Sequence, residues 1–230
     1  MKTIGLIGGM SWESSVEYYR IINEEVKNRL GGLHSAKCLL YSVDFDEIER
    51  YQQEGNWEKA GEVLAEVAQN LEKAGANFIV ICTNTMHKVV HHIEQKISIP
   101  ILHIADATTA QIKEQNYHTV GLLGTKYTME QDFYKSRIES NGIKVIVPDK
   151  HDREVVNKII FEELCLGKVS SISREYYKQV IDKLIQNGAE GIILGCTEIG
   201  LLVKPEDSAV PLFDTTIIHA LEAVNESLGE

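Results

Sequence analysis

The chain has 230 residues, 43% hydrophobic and 25% charged, with 17 Gly and 4 Pro. That balance excludes disorder, collagen and a disulfide-built mini-scaffold, and it suits two lobes of roughly 100–115 residues each. Its 23 basic against 34 acidic residues (net −11) include no Lys/Arg block, so neither nucleic acid nor an anionic membrane surface is an expected partner.

In chain order, short apolar runs alternate with longer amphipathic stretches. Strands are predicted at Thr3–Ile7, Cys38–Asp44, Phe78–Cys82 and Ile101–Ile104, with the clearest helix of this half at Trp57–Ala74. A second set follows, with strands at Thr119–Leu123, Ile143–Val147, Gly191–Leu194 and Val210–Phe213 and helices at Thr128–Asn141, Arg153–Leu166 and Glu175–Asn187. Alternating β and α elements predict an α/β fold of parallel sheets with helices on both faces. No apolar run approaches the roughly 20 residues of a membrane span, and the Met1–Gly9 run is too short for a signal-peptide core. A cytoplasmic location is therefore expected, with Cys38, Cys82, Cys165 and Cys196 as reduced thiols.

The second set repeats the first. Lys2-Thr-Ile-Gly-Leu-Ile-Gly-Gly9 matches His118-Thr-Val-Gly-Leu-Leu-Gly-Thr125, and Tyr18-Tyr19 falls opposite Phe133-Tyr134. Ala74-Gly-Ala-Asn-Phe-Ile-Val-Ile-Cys-Thr83 runs alongside Asn187-Gly-Ala-Glu-Gly-Ile-Ile-Leu-Gly-Cys196, and Pro100-Ile-Leu-His103 alongside Pro211-Leu-Phe-Asp214. The offset drifts only from 116 (Lys2 to His118) to 111 (Pro100 to Pro211). Four matches in one order predict an internal duplication. It gives two similar lobes, residues 1–104 and 105–213, each a four-stranded parallel sheet flanked by helices, with the active site expected in the cleft between them. Ligands of open α/β sheets bind beyond the carboxyl ends of the strands, which singles out Cys82-Thr83-Asn84-Thr85 and Gly195-Cys196-Thr197-Glu198.

Each of these loops ends a buried strand and opens a helix, offering backbone N–H groups to an anion. A thiol at a helix N-terminus is expected to have a lowered pKa, which marks Cys196. Opposite it, by the repeat, stands Thr83, with Cys82 one residue earlier. Two acid/base groups flanking a small carboxylate could take a proton from one face of a carbon and return one to the other, the geometry of racemisation. The other reading makes both cysteines small apolar residues that close strands. Strand alternation assigns Cys82 to the core.

These residues carry a family resemblance. Gly8-Gly9-Met10-Ser11, Asn84-Thr85-x-His87, Leu123-Gly124-Thr125 and Gly195-Cys196-Thr197-Glu198 make the chain resemble the cofactor-independent aspartate/glutamate racemases over essentially its full length. Glu198 stands where glutamate racemases of cell-wall synthesis typically have His. The chain therefore looks like the aspartate-racemase branch and its enterobacterial L-aspartate/glutamate-specific subgroup. The resemblance implies two α/β lobes, a homodimer, a small amino-acid substrate, and an active site needing neither pyridoxal phosphate nor metal. It also implies a C-terminal helix (within 214–230) packing back on the first lobe. By motif, Thr83 and Cys196 take the catalytic positions, and Met10, Gln52, Asn84, Thr85, Thr197 and Glu198 contact the substrate.

The departure is Thr83, where the family pattern has Cys. A threonine hydroxyl is a far weaker acid than a thiol, so Thr83 is read as a proton donor and Cys196 as the base. Glu198 is expected to accept the substrate ammonium, to orient Cys196, or to stand as a solvated first-turn acid. Arg50, Lys126 and Arg20 are equal candidates for a side-chain carboxylate, each otherwise a surface residue. Gly5-x-x-Gly8-Gly9 lacks the dinucleotide fingerprint, and its glycines are read as room for a small ligand, with Ser11 capping the next helix. His87 and His91, spaced i, i+4, are read as exposed helix histidines and not as metal ligands. Two rival functions remain. One is a maleate-isomerase-like or decarboxylase-like cysteine enzyme of the same superfamily; the other is a non-catalytic amino-acid-binding protein in which Thr83 marks the loss of one base.

Overall fold

A computed structural model describes residues 1–229. Its first half runs β1 (Ile4–Gly8), α1 (Trp12–Leu30), β2 (Cys38–Ser42), α2 (Phe45–Glu54), α3 (Trp57–Lys73), β3 (Phe78–Ile81), a 3₁₀ turn at Thr85–Val89, α4 (Val90–Glu94), β4 (Ile101–Leu102) and α5 (Ile104–Glu114). The second half runs β5 (Thr119–Gly124), α6 (Lys126–Glu130), α7 (Asp132–Glu139), β6 (Lys144–Ile146), α8 (Lys150–Glu162), α9 (Ser171–Gln186), β7 (Gly191–Gly195), α10 (Ile199–Leu202), β8 (Leu212–Asp214) and α11 (Thr215–Leu228). Two parallel four-stranded sheets result, ordered β2-β1-β3-β4 and β6-β5-β7-β8. The same order appears twice, as the duplication requires.

Apolar runs at β1, β3 and β7 form strands with both faces covered, and every residue of each is buried. On one face of the first sheet Ile4, Leu6, Phe78, Val80 and Cys82 pack against Tyr18, Ile22 and Val26 of α1 and Ala220, Ala223 and Val224 of α11. On the other, Ile7, Ile79 and Ile81 pack against Leu64, Ala68 and Leu71 of α3. The spacing i, i+4, i+8 in α1 and i, i+4, i+7 in α3 is what puts each set on one helical stripe. In the second sheet Ile192 and Leu194 continue into Cys196 on the face covered by α8 and α9.

Helix starts are set by short polar side chains. Asp44 accepts from the Asp46 amide, Asn56 from Lys59, Asp149 from Asp152 and Ser170 from Ser173. Ser11 occupies the expected cap position of α1 but makes no side-chain capping bond. Ser15, inside the helix, ties down the loop before it: its Oγ accepts the Gly9 amide at 2.8 Å and donates to the Ser11 carbonyl at 3.0 Å. The helix expected over Thr128–Asn141 is two helices, because Gln131 is extended (φ −95°, ψ 155°). Thr125 caps the first of these, and Thr128 lies inside it, fully buried.

The chain divides into two compact units, Met1–Ile104 with the segment from His219 onward, and Ala105–Ile218. The second unit therefore ends five residues beyond the expected boundary at Phe213. The cause is local: Thr215 donates to the Leu194 carbonyl at 2.8 Å and Thr216 to the Thr197 carbonyl at 3.4 Å, tying the first turn of α11 to β7 and the loop after it. From His219 the helix belongs to the first unit, where its Ala220, Ala223 and Val224 are core. Glu230, the last residue of the expected C-terminal helix, lies outside the described residues.

Candidate active site

Within the first unit the site residues gather where β1, β2 and β3 end. Gly9, after β1, has φ +90°, and a side chain there would run into the Val43 backbone that follows β2. Only glycine lets the two strand-end loops lie this close. Met10 is 3% exposed and shares an apolar cluster with Ile48 and Met86. Gln52, one turn after Ile48 on α2, is also buried and donates from Nε2 to the Met86 sulfur at 3.1 Å. After β3, Cys82 sits in the core, and burial pushes its thiol far above the ordinary range. Thr83 follows in a tight turn, its amide on the Ile81 carbonyl at 2.8 Å, and is 9% exposed. Asn84 and Thr85 are buried and lead into the 3₁₀ turn.

The histidine at the end of this motif is not exposed. His87 is 2% exposed, with its Nδ1 2.8 Å from the Thr83 carbonyl and its Nε2 3.2 Å from the Ile104 amide. Segment Thr85–Val89 is a 3₁₀ turn, so the i, i+4 spacing of His87 and His91 does not place both on one α-helical face, and only His91 reaches solvent. His103 lies against His87 (ring centroids 4.4 Å apart) and His219 at 5.9 Å. His219 links the Tyr18 hydroxyl (2.8 Å) to the Leu102 carbonyl (2.9 Å). Burial, then the neighbouring histidines, hold His87 well below its usual pKa. Sequence reasoning missed this cluster, since its members come from three separate elements. Among the described residues, no group of three His, Cys, Asp or Glu is arranged to hold a metal ion.

Within the second unit, β7 delivers Cys196, Thr197 and Glu198. Cys196 is 8% exposed and its Sγ donates to Glu198 Oε2 at 2.9 Å. Thr197 Oγ1 donates to the same oxygen at 3.0 Å. Glu198 is 2% exposed, which rules out the solvated first-turn acid. The expected lowering of the Cys196 pKa is also overturned. Burial first, and the Glu198 carboxylate second, raise it well above the ordinary thiol value, while the Glu198 backbone amide pulls weakly the other way. The helix that was to supply the dipole, α10, is only four residues long. Among the basic candidates, Arg20 is held by Glu17 and Glu24 on the surface of α1. Arg50 lies over the Tyr51 ring and Lys126 over Tyr127, all with exposed cationic side chains.

In one α/β unit a central strand ends in a thiol–carboxylate pair, Cys196 and Glu198, and in the other it ends in a hydroxyl, Thr83. The profile of the Asp/Glu/Hydantoin racemase family matches residues 7–223, and the chain belongs to that family. It is an isomerase of the amino-acid racemase class. It is 28% identical to the broad specificity amino-acid racemase RacX of Bacillus subtilis (strain 168), covering 98% of each chain. Among solved structures it is similar to a candidate Asp/Glu racemase from Yersinia pestis (59% identity, TM-score 0.92, 99% and 100% coverage), in keeping with the enterobacterial resemblance. It is also similar to an aspartate racemase homologue from Pyrococcus horikoshii OT3 (34% identity, TM-score 0.85, 99% and 100% coverage). No helix among the described residues is long and apolar enough to cross a membrane.

Two predictions follow from these environments. Glu198→Gln removes the charge beside Cys196, so alkylation of Cys196 by iodoacetamide at pH 8, read by peptide mass spectrometry, should quicken by roughly tenfold. An unchanged or slower rate would show that Glu198 does not control the thiol. For His219, burial lowers the pKa from 6.5 to about 4. Below pH 6.5 the unfolded chain takes up a proton that the folded chain refuses, and stability falls until the folded value is reached. Between pH 6.5 and 5 this costs about 2 kcal/mol from His219 alone, with His87 acting in the same direction. In urea unfolding at pH 7 and pH 5, His219→Gln should show a correspondingly smaller loss, and an identical loss refutes the assignment.

Proposed function

We propose that the chain is a cofactor-independent racemase of aspartate, glutamate or related small amino acids, in which Cys196 and Thr83 serve opposite faces of the α-carbon. The observation that carries this reading is the 2.9 Å contact between Cys196 Sγ and Glu198 Oε2. A raised thiol pKa leaves Cys196 protonated at rest, and the adjacent carboxylate is where its proton goes when the thiolate is needed. In the forward step the thiolate takes the α-proton, the C–H electron pair stays on carbon and spreads into the α-carboxylate, and the Thr83 hydroxyl supplies a proton to the other face. Its alkoxide is then reprotonated from solvent and Glu198 gives up the proton it took, which restores the resting state of all three groups. The donors proposed for the α-carboxylate are Asn84, Thr85 and Thr197, acting as charge develops. Met10 and Gln52 are proposed to shape the substrate's surroundings on the Thr83 side. Since Glu198 Oε2 already accepts from Cys196 and Thr197, it is assigned to orient the base in preference to binding the substrate ammonium.

A homodimer is proposed with this function. Trp12, Val16 and Tyr19, at i, i+4 and i+7 on α1, are 64%, 51% and 52% exposed and form one apolar stripe suited to a second copy. A cytoplasmic setting is proposed from four cysteines that form no disulfide.

The test is proton NMR of L-aspartate and L-glutamate in D2O with the protein, followed by chiral analysis. Loss of the α-proton signal with appearance of the D form is expected, and Cys196→Ser should abolish both. Thr83→Cys should speed turnover, because a thiol replaces the poorer acid. No exchange across a panel of amino acids would remove the racemase reading, and binding without exchange would replace it by the binding-protein alternative.

A further inference from the structure

The two halves solve one local problem by different means. Extended beyond Thr83 and Cys196, the repeat sets His87 against Gly200, while the later match sets His103 against Asp214. Both pairs touch: the His87 and His103 rings are 4.4 Å apart, and a side chain on Gly200 would collide with the Asp214 carboxylate. In the second unit Asp214 caps α11 by itself, accepting the Thr216 and Ile217 amides at 2.9 and 3.3 Å. In the first unit the amide at the start of α5, Ile104, goes instead to His87 Nε2. An amide N–H only donates, so Nε2 is the acceptor, the ring proton is on Nδ1, and Nδ1–H donates to the Thr83 carbonyl. One ring thereby ties the Thr83 loop to the residue at which the chain leaves the first unit.

We propose that His87 is a positioning residue, a neutral imidazole fixed as its Nδ1–H tautomer, that holds the Thr83 carbonyl and so sets the direction of the Thr83 hydroxyl. This rests on the proposed role of Thr83. The second unit has no counterpart, since Gly200 has no side chain; there the orienting group is Glu198, which acts on the Cys196 sulfur directly. The half with the weaker acid is thus the half whose acid is placed through its backbone.

His87→Gln and His87→Asn separate the ring's two bonds. A glutamine amide reaches the place of Nε2 and accepts from Ile104, but offers Thr83 no donor. An asparagine amide reaches the place of Nδ1 and donates to Thr83, but offers Ile104 no acceptor. In D2O, His87→Gln should slow racemisation of either enantiomer by at least about tenfold, the scale of a displaced catalytic group. Exchange of the α-proton with retention of configuration, which needs only the Cys196 face, should change by less than about twofold. His87→Asn should stay near wild type in both measurements, and amide hydrogen exchange should quicken at Thr83–Thr85 in His87→Gln alone. Equal racemisation in His87→Gln and wild type, or parallel loss of racemisation and exchange, overturns the proposal. Wild-type protein that neither exchanges nor inverts any amino acid refutes the racemase reading instead, and takes the catalytic role of His87 with it. The amide-exchange comparison then still decides whether His87 holds the loop.

Discussion

Glu198 lies buried within hydrogen-bond reach of a thiol that is itself buried, and the proposed chemistry rests on that pair. A thiolate and a carboxylate in such contact repel, and with burial this holds the proton on sulfur at rest. In the proposed mechanism Cys196 is a donor with the proton on sulfur, and an acceptor once that proton has been passed to the carboxylate. Packing of Cys196 on the Ile192–Leu194 face of β7 keeps water from levelling the two states. The fold contributes the burial, and the residue two positions along contributes the exchange partner.

Duplication explains how such a site arises from ordinary parts. Each sheet has its two most deeply covered strands in the middle, and each third strand in sequence, β3 or β7, ends in a loop that needs polar groups for its freed backbone amides. The two copies have since diverged at matching positions. Thr83 faces Cys196 in the alignment, Thr85 faces Glu198, and His87 faces Gly200. In one copy a carboxylate hydrogen-bonds directly to the sulfur of Cys196. In the other an imidazole acts on a carbonyl, with His103 and His219 packed around it and burial keeping His87 and His219 from charging at neutral pH.

The duplication and the loops after β3 and β7 were legible from apolar runs and repeated Gly positions, since these signals are local. Cys82 was legible as core because alternation along a buried strand is strict. What was hidden had non-local or conformational causes. His87 reads as an exposed helical position only if Thr85–Val89 is an α-helix; as a 3₁₀ turn it points inward, to Ile104. The Cys196 pKa reads as lowered only if the following helix is long and Glu198 is solvated. Neither holds, and nothing in the spacing reveals that a glutamate side chain has folded back on its neighbour. The boundary near Phe213 shifts because two threonine hydroxyls early in α11 bond to carbonyls at β7 and just after it.

An asymmetric pair of proton-transfer groups is compatible with a racemase because the reaction has an equilibrium constant of one. That fixes the ratio of kcat/KM for the two enantiomers, whatever the two groups are. A threonine in place of a thiol cannot favour one product; it can only change which half-reaction limits and how each enantiomer saturates. For the proton donor proposed at Thr83, working without a cofactor, the demand is then narrow. Its hydroxyl must stand on the line along which the carbanion is formed, because a poor acid competes only when its proton is already in place. Without a cofactor to hold the carbanion, its lifetime is short, and small displacements of the donor cost rate directly. A buried ring fixed at both nitrogens is a stiffer support for that hydroxyl than a flexible side chain would be, and stiffness is what a weak acid in this position lacks on its own account.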